Sequence, residues 1–220
     1  FTSTCPQTLV RFPKWRSIDH DHVCRAADTL KSVSVFYADR VSESIVIAME
    51  EAKRAGALVF FEPASTDDEM FARAVRCATV IKLSDETAGK SIADRNLDPE
   101  VIVIRTHGAF GLTVSNRSVH RHFPSSFAPR VIDTCGSGDM VTTGLLDLVL
   151  RRWYREGSWT VDDVFDGVEV GQRLAALNCG FTGARGLFRA AGANHVREML
   201  DRGIDEASTS YVSTLGTCNR

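Results

Sequence analysis

The chain has 220 residues, 44% of them hydrophobic and 25% charged, with a net charge of -2. That is enough apolar chain for one large folded domain, with no basic excess to favour nucleic acid and no run of like charge to favour a membrane surface. No apolar run approaches the length of a membrane span. Cys5, Cys24, Cys77, Cys135, Cys179 and Cys218 are scattered, with no C-x-x-C pair. This spacing fits neither a zinc site nor a small disulfide framework, and suits a cytoplasmic chain with free thiols. The opening FTSTCPQTLVRFPKW lacks a signal-peptide core, and starts at Phe1 rather than Met, which reads as a processed, cut or partial product.

In chain order, residues 1–22 are polar and punctuated by Pro6 and Pro13. They read as a short strand or extended arm over Leu9–Trp15, followed by a loop. His20, Asp21 and His22 have poor spacing for metal ligands on a regular element, so a solvated loop is the expectation, with a short helix within Asp21–Leu30. Ser32–Tyr37 is β-rich. Ser42–Ala55 reads as a helix with Ile45, Val46, Ala48, Met49 and Ala52 on one face, stopped by Gly56. Ala57–Phe61 (ALVFF) is a continuous apolar run, as in a buried parallel strand. A helix over Asp67–Cys77 and strands over Thr79–Leu83 and Val101–Arg105 continue the alternation, with a short helix and polar loops expected between 84 and 100. Such alternation signals a parallel sheet with helices on both faces. Beyond Val131 the pattern turns helical, over 139–155, 161–179 and about 192–202. Residues 205–220 lack periodicity and read as a mobile tail.

The stretch that organises the rest is VIDTCGSGDMVTTGLLDLVL, Val131–Leu150. A small-residue turn, Gly136-Ser137-Gly138, opens a helix at Asp139. Glycine leaves backbone N–H groups uncovered, the first N–H groups of a helix have no partner within it, and the helix dipole adds positive potential there. The turn is an anion site. An acid at its edge would repel an anion, yet makes sense as a base taking the proton from a hydroxyl that attacks a phosphate. A helix-start turn with a capping Asp is the plainer reading.

These residues also resemble a family. D-T-C-G-S-G-D is similar to the D-T-x-G-A-G-D signature of the ribokinase-like (PfkB) sugar and nucleoside kinases, with Ser137 for the usual Ala. The resemblance implies that Gly136, Ser137 and Gly138 cradle the transferring phosphoryl group and that Asp139 is the catalytic base. AGALVFFEP resembles the family's a-G-a-x-v-x-F-D-P-N strand, with Glu62 for Asp and Ala64 for Asn. ATVIKLSDET resembles the strand end a-D-v-v-K-x-S/N-x-x-E: Lys82 and Ser84 match, but the position of the family's magnesium-ordering Glu is Thr87, with Asp85 and Glu86 beside it. Glu86 is the residue the resemblance offers for Mg2+ through water. Thr106-His107-Gly108-Ala109-Phe110-Gly111 matches T-x-G-x-x-G, whose glycines let the backbone run close to a nucleotide, although hairpin turns look alike. AALNCGFTGARGLF resembles the closing helix and loop. It implies that Asn178 and Gly180 wall the adenine site, and that the Gly183–Gly186 loop, with Asp133, lies near a monovalent cation site (K+).

The resemblance covers about residues 30–200 and implies a three-layer α-β-α, ribokinase-like fold with a mostly parallel sheet. The expected divisions are a residual lid or linker segment at 1–30, the α/β domain at 31–204 and the tail at 205–220. The usual N-terminal strands, their G-G turn and most of the lid have no counterpart. The chain therefore reads as a split enzyme, a short kinase with a differently built acceptor site, or a degenerate relative. An uncovered sheet edge is an aggregation hazard, so a second chain or a homo-oligomer is expected. The implied activity is ATP- and Mg2+-dependent phosphoryl transfer to a sugar or nucleoside hydroxyl; the alternative is a non-catalytic binding subunit. A dinucleotide oxidoreductase lacks G-x-G-x-x-G opening a helix, and a serine hydrolase lacks G-x-S-x-G.

Overall fold

The computed structural model describes residues 18–64, 70–85 and 97–202. The expected strand at Leu9–Trp15, the start of the helix from Asp67, most of the segment between 84 and 100, Glu86 and Thr87, and the tail from 205 lie outside the described residues. The described residues fall into two compact units, 18–124 and 125–202.

The first unit is a six-stranded sheet in chain order: β1 (Val35–Ala38), β2 (Leu58–Phe61), β3 (Val80–Ser84), β4 (Ile102–Thr106), β5 (Leu112–Ser115) and β6 (His120–Phe123). The first four strands are parallel, and the last two run antiparallel. All four residues of β2 are buried, which explains why its sequence shows no polar alternation. Helix α3 (Glu43–Arg54) starts where the Ser42 hydroxyl accepts the Ile45 N–H at 3.3 Å, and it buries Val46, Met49 and Ala52. Helix α4 (Phe71–Cys77) adds Phe71, Ala74 and Val75 to the same core, which includes Val59, Phe61, Ile81 and Leu83 from the sheet. A bidentate pair, both bonds 2.8 Å, joins Arg73 on α4 to Glu50 on α3. Arg73 thereby holds the Glu50 carboxyl below its ordinary range. Leu58, Phe60, Val80, Ile102, Ile104, Leu112 and Val114, on the opposite sheet face, are also buried.

Two local expectations change. His20 and His22 lie in a helix, α1 (His20–Arg25), rather than a loop, because Asp19 and His22 form a reciprocal cap at its start. It breaks at Ala26 before α2 (Ala27–Leu30). The β5–β6 hairpin was not expected at all. Its turn forms because the Asn116 carboxamide accepts the N–H groups of Ser118 and Val119, both at 2.9 Å.

The second unit is helical: α5 (Ser137–Glu156), α6 (Val161–Asn178), α7 (Gly186–Ala191) and α8 (Ala193–Arg202). Thr160 and Asp163 form a capping box that fixes the start of α6. Helices α5 and α6 touch backbone to backbone. A Cβ built on Gly144 would lie 2.5 Å from Gly171 Cα, and one on Gly171 would lie 2.8 Å from Val141 Cα. Gly171→Ala therefore forces the two helices apart. Overpacking costs up to about 3 kcal/mol, offset by about 1 kcal/mol of helix propensity. A net loss of about 2 kcal/mol is expected, read as a lower urea midpoint at unchanged slope. No described helix is long and apolar enough to cross a membrane.

Candidate functional site

The residues singled out in the sequence fall into two groups, one in each unit. In the helical unit, the loop before α5 is tied down by hydrogen bonds to the segment after α6. Ile132 and Asp133 N–H both donate to the Cys179 carbonyl, at 2.7 and 3.2 Å. The Asp133 carboxylate accepts the Cys135 N–H at 2.9 Å with one oxygen and the Gly183 N–H at 2.8 Å with the other. It thus joins two loops 50 residues apart in sequence. Gly136 takes φ +76°, and a Cβ there would lie 2.5 Å from Ala184 Cβ. Only glycine suits both the left-handed backbone and this approach, so the G-S-G-D turn and the G-A-R-G loop fit each other directly.

The Ser137 hydroxyl and N–H both donate back to the Thr134 carbonyl, at 2.6 and 3.1 Å, which ties Ser137 into the loop. Among the described residues no side chain caps α5. Asp139 lies in its first turn and is exposed, while the next residue, Met140, is buried. A helix N-terminus without a side-chain acceptor keeps donor capacity for an external anion, and Asp139 stands beside it. Asn178, the last residue of α6, is fully buried. Its side-chain Oδ1 accepts the Leu187 N–H at 3.1 Å, capping α7, and its side-chain Nδ2 has no partner among the described residues. Gly180 follows in the same turn, its N–H donating to the Leu177 carbonyl.

The hydrogen bonds from Cys135, and next from Gly183, hold the Asp133 carboxyl below its ordinary range, against a smaller opposing effect of burial. A depressed carboxyl contributes its stabilisation in full above the unfolded value of about 4, and loses it as pH falls through the folded value. Asp133→Asn presents a donor to one of the two N–H groups. We expect it to unfold more readily at neutral pH and to show a flatter stability profile on the acid side, measured by thermal melts from pH 7 to pH 3.

In the sheet unit, Lys82 sits in the middle of β3, 3% exposed, with its amine paired to Glu62 just beyond β2. The Tyr37 hydroxyl donates to the other Glu62 oxygen at 3.4 Å. Thr106 ends β4, and its hydroxyl donates to the Leu83 carbonyl at 3.4 Å. Gly108 and Gly111, with φ +57° and +92°, bound a single 3-10 turn that connects β4 to the antiparallel β5. The T-x-G-x-x-G segment is a hairpin turn in this chain. Glu86 lies outside the described residues, and among the described residues no group of three or more His, Cys, Asp or Glu is arranged to hold a metal. Sequence reading passed over His107. Its ring bonds Asp85 Oδ2 at 2.8 Å through Nδ1 and Thr113 Oγ1 at 3.1 Å through Nε2. No spacing rule shows this, because the three residues meet only through the β3–β4–β5 register.

The arrangement is an α/β fold with a mostly parallel sheet, and solved structures share it. A nucleoside kinase from Burkholderia thailandensis in complex with inosine superposes with a TM-score of 0.58 at 21% identity, over 84% of this chain and 61% of that one. Ribokinase from Giardia lamblia gives 0.61 at 15% identity, over 84% and 64%. Aminoimidazole riboside kinase from Salmonella enterica, complexed with aminoimidazole riboside and an ATP analog, gives 0.57 at 19% identity, over 76% and 61%. The fold is therefore ribokinase-like, and the chain spans less than two thirds of the length of these structures. No family model and no curated protein sequence matches the chain.

Proposed function

We propose that the chain is the nucleotide-handling part of a PfkB-type kinase, transferring the γ-phosphoryl group of ATP to a hydroxyl of a sugar or nucleoside. The observation that carries this reading is the N-terminus of α5: glycine-bordered, without a side-chain cap among the described residues, and flanked by an exposed Asp139. The shared fold supports it. In this reading the N–H groups of Gly136 and Gly138 hold the charge that spreads over the phosphoryl oxygens, a task for preorganised donors, while Ser137, whose N–H and hydroxyl both donate to the Thr134 carbonyl, keeps the cradle in shape. Asp139 accepts the proton of the attacking hydroxyl. For the nucleotide, the resemblance offers Lys82, Thr106 and the turn at Gly108–Gly111 in the sheet unit, and Asn178 and Gly180 in the helical unit.

Magnesium, when bound with ATP, neutralises phosphate charge. The described residues offer it no ready cluster, so the nucleotide phosphates themselves are its natural ligands, with Glu86 the acid the resemblance offers for its water shell. Asp133 suits a monovalent cation only with its remaining lone pairs, since each oxygen already accepts one backbone N–H.

One observation favours the second reading, a binding protein without turnover. Asp85, one of the two acids near the family's magnesium position, has one carboxylate oxygen engaged by His107. Calorimetry of ATP with magnesium, followed by ADP formation across a panel of sugars and nucleosides, separates the two. Binding with turnover supports the kinase, binding without turnover supports the second reading, and no binding overturns the kinase and leaves the chain as an interaction subunit.

A further inference from the structure

We infer that His107 is a positioning residue, which presets the Gly108–Gly111 turn for the nucleotide by bridging Asp85 and Thr113. The inference rests on the proposal that this turn contacts ATP. His107 follows the last residue of β4 and opens the turn. Its backbone closes the turn on both sides: its N–H donates to the Gly111 carbonyl at 2.8 Å, and its carbonyl accepts the Phe110 N–H at 3.1 Å. Its ring then reaches sideways in two directions, to Asp85 at the end of β3 and to Thr113 on β5. One side chain thus pins three neighbouring strands at the point where the chain reverses. The turn cannot roll about the hairpin axis without breaking both ring bonds.

The bond directions follow from the partners. An ionised Asp85 only accepts, so Nδ1 carries a proton. In the neutral ring Nε2 accepts from the Thr113 hydroxyl; in the charged ring it donates to that hydroxyl. Threonine serves both cases, so the bridge holds in either charge state of the imidazole. A turn already held in one shape loses less freedom when a ligand binds. Releasing it should cost about the net worth of one hydrogen bond, roughly tenfold in affinity.

The test is calorimetric titration of the full chain with ATP and magnesium. Thr113→Val removes the hydroxyl at constant shape and should weaken binding about tenfold; Thr113→Ser should restore it. Asp85→Ala, at an exposed position, should weaken binding in the same direction, and it decides the matter if the valine variant does not fold. Rescue by serine is a readout that mere packing at Thr113 would not give. Unchanged affinity in folded Thr113→Val and Asp85→Ala, beside a binding wild type, overturns the bridge alone. A wild type that does not bind overturns the nucleotide reading and the bridge with it.

Discussion

Asp139→Asn should abolish turnover while leaving nucleotide binding equal or tighter. The two readouts move in opposite directions for a physical reason. As a base, the carboxylate contributes about 10²- to 10⁴-fold to the rate, which is roughly 3–5 kcal/mol of barrier at about 1.4 kcal/mol per decade. As a charge beside the N-terminus of α5, it opposes an incoming phosphate. Removing it should favour the anion by about 0.3–1 kcal/mol, the usual size of a charge effect at a helix end, or up to about fivefold in affinity. The same substitution removes an acid that favours the first turn, so α5 should lose no more than a similar amount of stability. Asp139 is exposed, and the Thr143 hydroxyl bonds its carbonyl at 2.8 Å. A thermal melt of the variant beside the wild type separates lost chemistry from lost folding. ADP release in the presence of an acceptor, beside calorimetry with ATP, reads both quantities on one preparation. Turnover within about threefold of wild type would remove Asp139 from the role of base.

The elements legible in the sequence are those whose signal is local. Ser42 and Gly56 bracket α3 as a cap and a stop, and the apolar face between them packs as its spacing requires. The run ALVFF forms β2, buried throughout. The turn Gly136–Gly138 opens a long helix with Asp139 in its first turn. What escaped notice depends on residues far apart in the chain. Strand β6, HRHF, exposes three of its four side chains and looks like a polar loop until β5 supplies a partner. Helix α7 is six residues long, and the Asn178 carboxamide holds one of its first N–H groups. Its signal lies across a loop rather than within the helix. The Asp85–His107–Thr113 contact and the fit of Gly136 against Ala184 are of the same kind. A motif marked the glycine, but only the fold shows the side chain it must admit.

The pair formed by Lys82 and Glu62 should separate structural from binding roles most sharply. The two residues are 20 positions apart in sequence and are brought together by the parallel β2–β3 pairing. Lys82 is 3% exposed on its side chain and Glu62 20%. Breaking a buried pair by removing one partner costs about 3–5 kcal/mol, because the survivor keeps an uncompensated charge. The two single variants should differ. Glu62→Leu strands a fully buried ammonium and should fall near the top of that range. Lys82→Met strands a carboxylate that still reaches solvent and that the Tyr37 hydroxyl also serves, so about 2–3 kcal/mol is expected. The double variant replaces charge by apolar volume and should recover most of the stability, since such swaps are often neutral or better. Urea titration of the four proteins gives the coupling directly. Binding then decides what the lysine is for. If its amine serves ATP, the double variant is stable yet binds nucleotide at least tenfold more weakly, as expected for loss of a charged hydrogen bond. If it binds as wild type does, Lys82 exists for the sheet alone, and nucleotide contact in this unit passes to the Gly108–Gly111 turn.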